Sequence, residues 1–381
     1  MGIIKGSVSK RHFGLDFIRA LAILSVVFGH SRSILSEAFP GVSAIPLLRG
    51  VDVFFVLSGF LIGTRFLNRS KEGLSRSFGL SFLRHAALRI LPLYFLFLLI
   101  NIVTDFFLKD QMVSGYRILS CFVFMQNVFT PHIGFFWESW SLTITVWFYI
   151  ALTVIMVSNY RLSKNLNVFK RQLLVLILGF IMWPIVVRFY IHFQGGLDYF
   201  WWDVKIRKFM PARFDSPFYG LLMAWLRFYY PKAFKKLAIP GLLAAVSIYL
   251  WYYLYTPAPG TFDKDILYLI TSPLSYALAL PILMRIKKAP QFIAYPFTYI
   301  SIISYAMYLV NLWFFIVMRK TMVLSQVHPI LQWLFYWIMV IALSWIVYKY
   351  IELSIREQFD KWKRSGVRFF PKKKDASGEA S

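Results

Sequence analysis

Apolar runs of about 20 residues recur along the whole chain, each long enough to cross a hydrocarbon core of about 30 Å. A soluble domain needs polar surface. A 381-residue chain that is 59% hydrophobic and 19% aromatic, with mean hydropathy +0.60, cannot supply it. The runs fall at roughly 15–33, 44–63, 90–108, 117–130, 140–158, 173–190, 214–230, 238–256, 266–284, 292–318 and 328–350. The fourth, RILSCFVFMQNVFT, is short and holds Gln126 and Asn127, so it suits a re-entrant or interfacial segment as well as a span.

Lys and Arg decide between the two. Suppose the N-terminus is cytoplasmic and 117–130 does not cross. The segments 1–13, 64–89, 161–172, 231–237, 285–288 and 352–381 then lie inside and hold 27 Lys and Arg, against 11 in the outside segments. That satisfies the bias of cytoplasmic loops towards positive charge. If 117–130 crossed, every later basic loop and the basic tail would fall outside. The expectation is an all-α polytopic membrane protein with about ten transmembrane helices plus one re-entrant segment, both termini cytoplasmic. A membrane domain spans 1–358, and 359–381 forms a polar basic tail suited to anionic membrane lipid. No cleavable signal peptide is visible, and Gly6 stands where a myristoylation pattern needs Ser or Thr. Loop cations account for the net charge of +25, so no nucleic acid partner is expected. The single Cys121 excludes an intrachain disulfide and a multi-cysteine metal site, and no metal is expected. Oligomeric state is open.

Charged residues inside spans cost roughly 2.5–3.5 kcal/mol each near the bilayer centre, so each needs a reason. In the first span, Arg19 and His30 are eleven residues apart. At about 100° per residue they project from one face, separated by a rise of roughly 16 Å. Asp16, three residues before Arg19, is placed to steady it. Arg19 alone is equally explained by snorkelling to the cytoplasmic headgroups. His30 ends the unbroken run RALAILSVVFG, where a neutral imidazole has the chemistry of a general base. In the second span Asp52 and Ser58 interrupt an apolar stretch after Arg49; Asp52 either orients His30 or pairs with an Arg. Arg84, His85 and Arg89 cluster at the mouth of the third span, as an orientation signal or as a dock for the phosphates of an acyl-CoA. Glu138, Trp140 and Ser141 stand at one outer mouth, and Arg213 and Asp215 at another. Tyr199, Phe200, Trp201 and Trp202 read best as an interfacial aromatic belt.

The stretches LDFIRALAILSVVFGH, GVDVFFVLSGFLIG, FLRHAALRILPLY, ESWSLTITVWFY, RFDSPFYG, SYAMYLVN and YIELSI, in this order, resemble the acyltransferase-3 family of bacterial membrane O-acyltransferases. The resemblance covers about residues 13 to 355. It implies ten helices, a multi-pass protein of the bacterial inner membrane, and transfer of an acyl group, usually acetyl, from cytoplasmic acetyl-CoA. The acceptor it implies is a hydroxyl of a surface polysaccharide, such as lipopolysaccharide, or of a lipid-linked glycan precursor. The family's first-helix arginine and histidine fall on Arg19 and His30. Four positions depart from the family pattern: Thr145 and Val146 where one or two glutamates are usual, Ala86 where an arginine is usual, and Asn311 where the SYxxYLxH motif ends in histidine. A degraded family member acting as a transporter or membrane scaffold is the alternative that these losses favour.

The expected roles follow. His30, Arg19 and Asp52 are the catalytic candidates. Arg19, Arg84 and Arg89 take the donor phosphates. Glu138, Trp140, Ser141, Arg213 and Asp215 meet the acceptor.

Overall fold

A computed structural model describes residues 12–108, 113–321 and 326–364, and no strand occurs among them. The main helices are α1 (Phe13–Ser36), α2 (Gly50–Ser70), α3 (Arg76–Leu108), α4 (Gly115–Phe122), α5 (Ser139–Leu162), α6 (Leu166–Gln194), α7 (Ser216–Tyr229), α8 (Ala238–Leu254), α9 (Tyr268–Leu283), α10 (Gln291–Thr321) and α11 (Pro329–Val347). Eight helices among the described residues are long and apolar enough to cross a membrane, α9 counted together with the π-helical turn Asp263–Leu267 that leads into it. The two other expected spans, 214–230 and 238–256, form the shorter α7 and α8 of 14 and 17 residues. The run 117–130 yields only the eight-residue α4 and then turns, far too short to cross. The chain is an all-α polytopic membrane protein.

Hydropathy places the spans but not the helix ends. The basic stretch 64–89, expected as a loop, is largely helical: α2 runs on to Ser70, and α3 begins at Arg76. The last helix likewise continues through a π-helical turn at Tyr348–Glu352 to Arg364. Backbone amides near a membrane still gain from helical pairing, so polar sequence extends a helix that apolar sequence has nucleated.

Two apolar clusters make up most of the interior. One gathers side chains chiefly from α2, α5, α6, α7 and α9. The other gathers them from α1, α3, α10 and α11. Lipid tails are as apolar as leucine, so close backbone approach holds such a bundle together. Gly59 and Gly63, one turn apart on α2, lie against Pro217, Leu221 and Ala224 of α7, and Gly220 of α7 lies against Val56 and Phe60. A Cβ on Gly59 would lie 1.8 Å from the Pro217 carbonyl oxygen, and one on Gly220 would lie 1.9 Å from that of Val56. Only glycine permits this contact. The seam between the two clusters is where the polar residues of the spans converge.

Candidate active site

Two cavities open along the seam. The first, of about 490 Å³, reaches from Arg65, His85, Arg89 and Arg356 past Arg19 to Ser141 and Tyr308. The second, of about 480 Å³, holds His30 with Glu138, Trp140, Arg207 and Lys208. Val51 and Tyr308 line both, so the chambers adjoin at these two side chains. The Tyr308 hydroxyl lies 2.7 Å from the Ser141 hydroxyl and donates to the Glu138 carbonyl at 3.0 Å. Arg19 and His30, on one face of α1, therefore stand in adjoining chambers.

Arg19 lies 3.9 Å from Asp16, whose carboxylate also accepts from the Ser301 hydroxyl of α10 at 2.7 Å. This ties the cation to the packed α1–α10 pair. The first chamber is otherwise largely apolar between a cationic mouth and the Tyr308 neck. Arg89 belongs to that mouth. Arg84 is exposed and does not line it; Arg65 and Arg356 do. On a helix, Arg84 and Arg89 are five residues apart and diverge by about 140°, so one chamber cannot take both.

Among the described residues His30 is held by the side chain of Asn311, whose Oδ1 lies 2.5 Å from His30 Nδ1. Asn311 Nδ2 donates to the carbonyls of Met307 and Tyr308, both at 2.7 Å. These two bonds fix the amide so that oxygen, an acceptor, faces the ring. Nδ1 must then carry the proton, which leaves the Nε2 lone pair as the basic position of a neutral imidazole. Thus Asn311, the departure from the SYxxYLxH pattern, holds the ring.

Asp52 does not orient His30. Although it borders the second chamber, its carboxylate pairs with Arg213 and accepts from the Ser272 hydroxyl at 2.7 Å. Arg213 and Asp215 are also placed differently from expectation. Both are fully buried and line neither chamber; Asp215 pairs with Arg188 at 2.5 Å. Stripping one partner from such a pair costs roughly 3–5 kcal/mol. These residues brace the α2–α6–α7–α9 packing behind the chamber.

Ser141 sits at the neck, and Trp140 and Glu138 line the second chamber. Glu138 is buried, and burial pushes its carboxyl up to about 8, which favours its protonated form near pH 7. Thr145 lines the first chamber, its hydroxyl donating to the Ser141 carbonyl at 2.9 Å, and Ala86 lines it too. Of the departures from the family pattern, Thr145, Ala86 and Asn311 fall on the first chamber or on His30, whereas Val146 lines neither chamber and packs against the second apolar cluster.

Sequence reasoning missed Arg207 and Lys208. They end a short π-helical turn, Asp203–Arg207, where Asp203 pairs with both cations, at 2.6 Å to Lys208. Burial disfavours the Asp203 carboxylate, but the two cations outweigh it and hold its pKa below the ordinary value. Asn127 explains how this turn is held. Asn127 Nδ2 donates to the carbonyls of Lys208 at 2.7 Å and Trp140 at 3.1 Å, and its own carbonyl accepts from the Met210 amide at 2.9 Å. The strap following α4 is a bracket for the cationic wall. In the aromatic run, Tyr199, Phe200 and Trp201 are exposed as a belt would be, whereas Trp202 turns inward onto the second chamber. Among the described residues no group of three His, Cys, Asp or Glu stands together as a metal site.

A helical bundle whose seam carries intramembrane cations beside a tautomer-fixed histidine has the makings of a polytopic membrane transferase. The family model described as an acyltransferase domain, acyltransferase 3, matches residues 12–349, and the chain belongs to that family. It is a multi-pass membrane acyltransferase. No curated protein matches the chain, and no solved structure does.

Proposed function

We propose that this protein moves an acetyl-sized acyl group from cytoplasmic acyl-CoA, through the first chamber, to a hydroxyl of a cell-surface carbohydrate or its lipid-linked precursor in the second. The observation that carries this reading is the pair of chambers adjoining at Val51 and Tyr308, with the fixed His30 on the far side of that neck from Arg19. The donor's phosphates suit Arg65, Arg89 and Arg356, because guanidinium forks match phosphate oxygens. The thioester arm then lies along the apolar first chamber towards Tyr308, with Arg19 beside it. His30 Nε2 takes the proton of the acceptor hydroxyl as its oxygen attacks the thioester carbonyl. The carbon–sulfur bond breaks, and the imidazolium returns the proton to the leaving thiolate. The alternative order, in which Nε2 first carries the acyl group and then yields it to the hydroxyl, uses the same lone pair. The inner membrane of a bacterium, with both termini cytoplasmic, is the setting that puts the donor and the Arg19 chamber on one side.

His30→Ala in proteoliposomes supplied with labelled acetyl-CoA and an envelope glycan extract is expected to abolish label transfer while leaving protein yield unchanged. Full transfer by that variant overturns the assignment of His30.

A further inference from the structure

The second chamber is far more cationic than a site for a neutral sugar requires. Arg32, Arg49, Arg207 and Lys208 line it. Asp52 is committed to Arg213, and Asp203 is shared between Arg207 and Lys208. Burial raises the Glu138 pKa and so disfavours its negative charge near neutral pH. Neither Arg32 nor Arg49 has a carboxylate partner among the described residues. Arg32 donates to the Ser43 carbonyl at 3.1 Å, and the Arg49 guanidinium lies 3.7 Å over the Tyr268 ring. Stacking fills a guanidinium's face and leaves its edge of N–H donors for a planar anion. Three tryptophans interleave with these cations. Lys208 sits 4.6 Å from the centre of the Trp137 ring, Arg207 sits 5.5 Å from that of Trp140, and Arg49 sits 5.9 Å from that of Trp202. Such a wall offers flat apolar faces for a sugar ring and a rim of cations for a charge on it.

We infer that the acceptor is an anionic glycan, one whose acylated sugar or its immediate neighbour carries a carboxylate or phosphate that Arg49 and Lys208 engage. This rests on the acyltransferase reading for the role of the bound sugar, but the charge preference of the chamber is testable without turnover. The carbohydrate source is favoured over a lipid headgroup because three tryptophan rings alternate with the cations of the second chamber.

The test uses the full-length protein in nanodiscs of zwitterionic lipid, with 4-nitrophenyl β-D-glucuronide and 4-nitrophenyl β-D-glucoside as probes. Equilibrium titration is expected to give at least about tenfold tighter binding of the glucuronide, the scale of one charge-assisted hydrogen bond. Raising the salt concentration should erode that preference. Arg49→Gln combined with Lys208→Gln is expected to bring the two affinities to parity, while Lys235→Gln, on the exposed turn before α8, keeps them apart. Equal binding of both probes to the unaltered protein overturns the inference, and so does a preference that survives the double substitution. If the double variant does not fold, the salt series on the unaltered protein decides. Displacement of the glucuronide by phosphatidylglycerol in the nanodisc, in an Arg49-dependent way, also overturns it, in favour of a lipid headgroup site. Charge-selective binding without any acetyl transfer from labelled acetyl-CoA sinks the acyltransfer reading and leaves the anion preference standing.

Discussion

The geometry of His30 turns on a side chain that reads as a loss. Asn311 stands where the family pattern has histidine, yet both of its amide hydrogens are committed to α10 carbonyls and its oxygen to His30 Nδ1. An asparagine so anchored cannot rotate without leaving buried donors unpaired, at about 1–3 kcal/mol. It therefore defines the tautomer and orients the ring without touching substrate. Asn311→Leu is expected to lower kcat by about 10- to 100-fold, as loss of an orienting partner typically does, with little change in KM for acetyl-CoA. Asn311→His, which restores an acceptor nitrogen, is expected to recover most of kcat. Steady-state kinetics in proteoliposomes separates this from a structural role: a structural fault would reduce active protein in both variants, and the histidine variant would not be rescued. Arg19 and His30 were legible in the sequence because an ionisable group in an apolar run is costly enough to stand out. Their partners were not. Asn311 lies 281 positions from His30, and Asp52 lies 161 positions from Arg213; no local pattern encodes either pairing. Arg207 and Lys208 were hidden for a different reason, since their loop has no periodicity from which to read a face.

At the scale of elements, the tightest joint in the molecule is between α2 and α7. The carbonyl of Pro217 fits against bare Gly59, and that of Val56 fits against bare Gly220. Because α2 carries Asp52 and part of the lining of both chambers, this joint fixes the position of that wall of the chambers. Gly59→Leu must push the helices apart by more than a side chain's tolerance, and overpacking of even milder kinds costs about 1–3 kcal/mol. The expected result is loss of the monodisperse peak in detergent size-exclusion chromatography and a lowered unfolding temperature. Gly41→Ala, where an added Cβ meets nothing within 4 Å, should leave both unchanged. If Gly59→Leu behaves like the parent protein, the joint is not what sets the packing. The motif was readable: GFLIG places two glycines four apart in an apolar run, the spacing that lets membrane helices touch. The partner was not, because α7 has only 14 residues and its hydropathy resembles that of its neighbours. Charge balance ruled out a crossing at 117–130, in agreement with the eight-residue α4. It gave no hint that Asn127 pins the backbone of Lys208, since that bond depends on how a loop 81 positions away folds back.

For the molecule as a whole, the two chambers adjoin at Val51 and Tyr308, and their mouths are built from different elements. The first opens among α2, α3 and the C-terminal extension of α11, the elements that carry Arg65, Arg89 and Arg356. The second opens among the α1–α2 connection, the turn at Asp203–Arg207 and α9. A donor and an acceptor entering from opposite faces would never need to pass one another, and the acyl group alone would cross at Tyr308. The proposed orientation puts the first mouth on the cytoplasmic side, and the position of Arg65 and Arg89 in the most basic of the early segments supports it. Single cysteines test this directly, because the native Cys121 is fully buried and offers little background in an impermeant labelling assay. Arg65→Cys is expected to react with a membrane-impermeant maleimide in inverted vesicles and to be spared in right-side-out ones. Arg32→Cys, at the second mouth, should show the reverse. Labelling of both from one face would mean that the chambers share an entrance. Donor and acceptor would then have to bind in sequence from the same side, and the seam would be a single pocket with a waist rather than a route across the membrane.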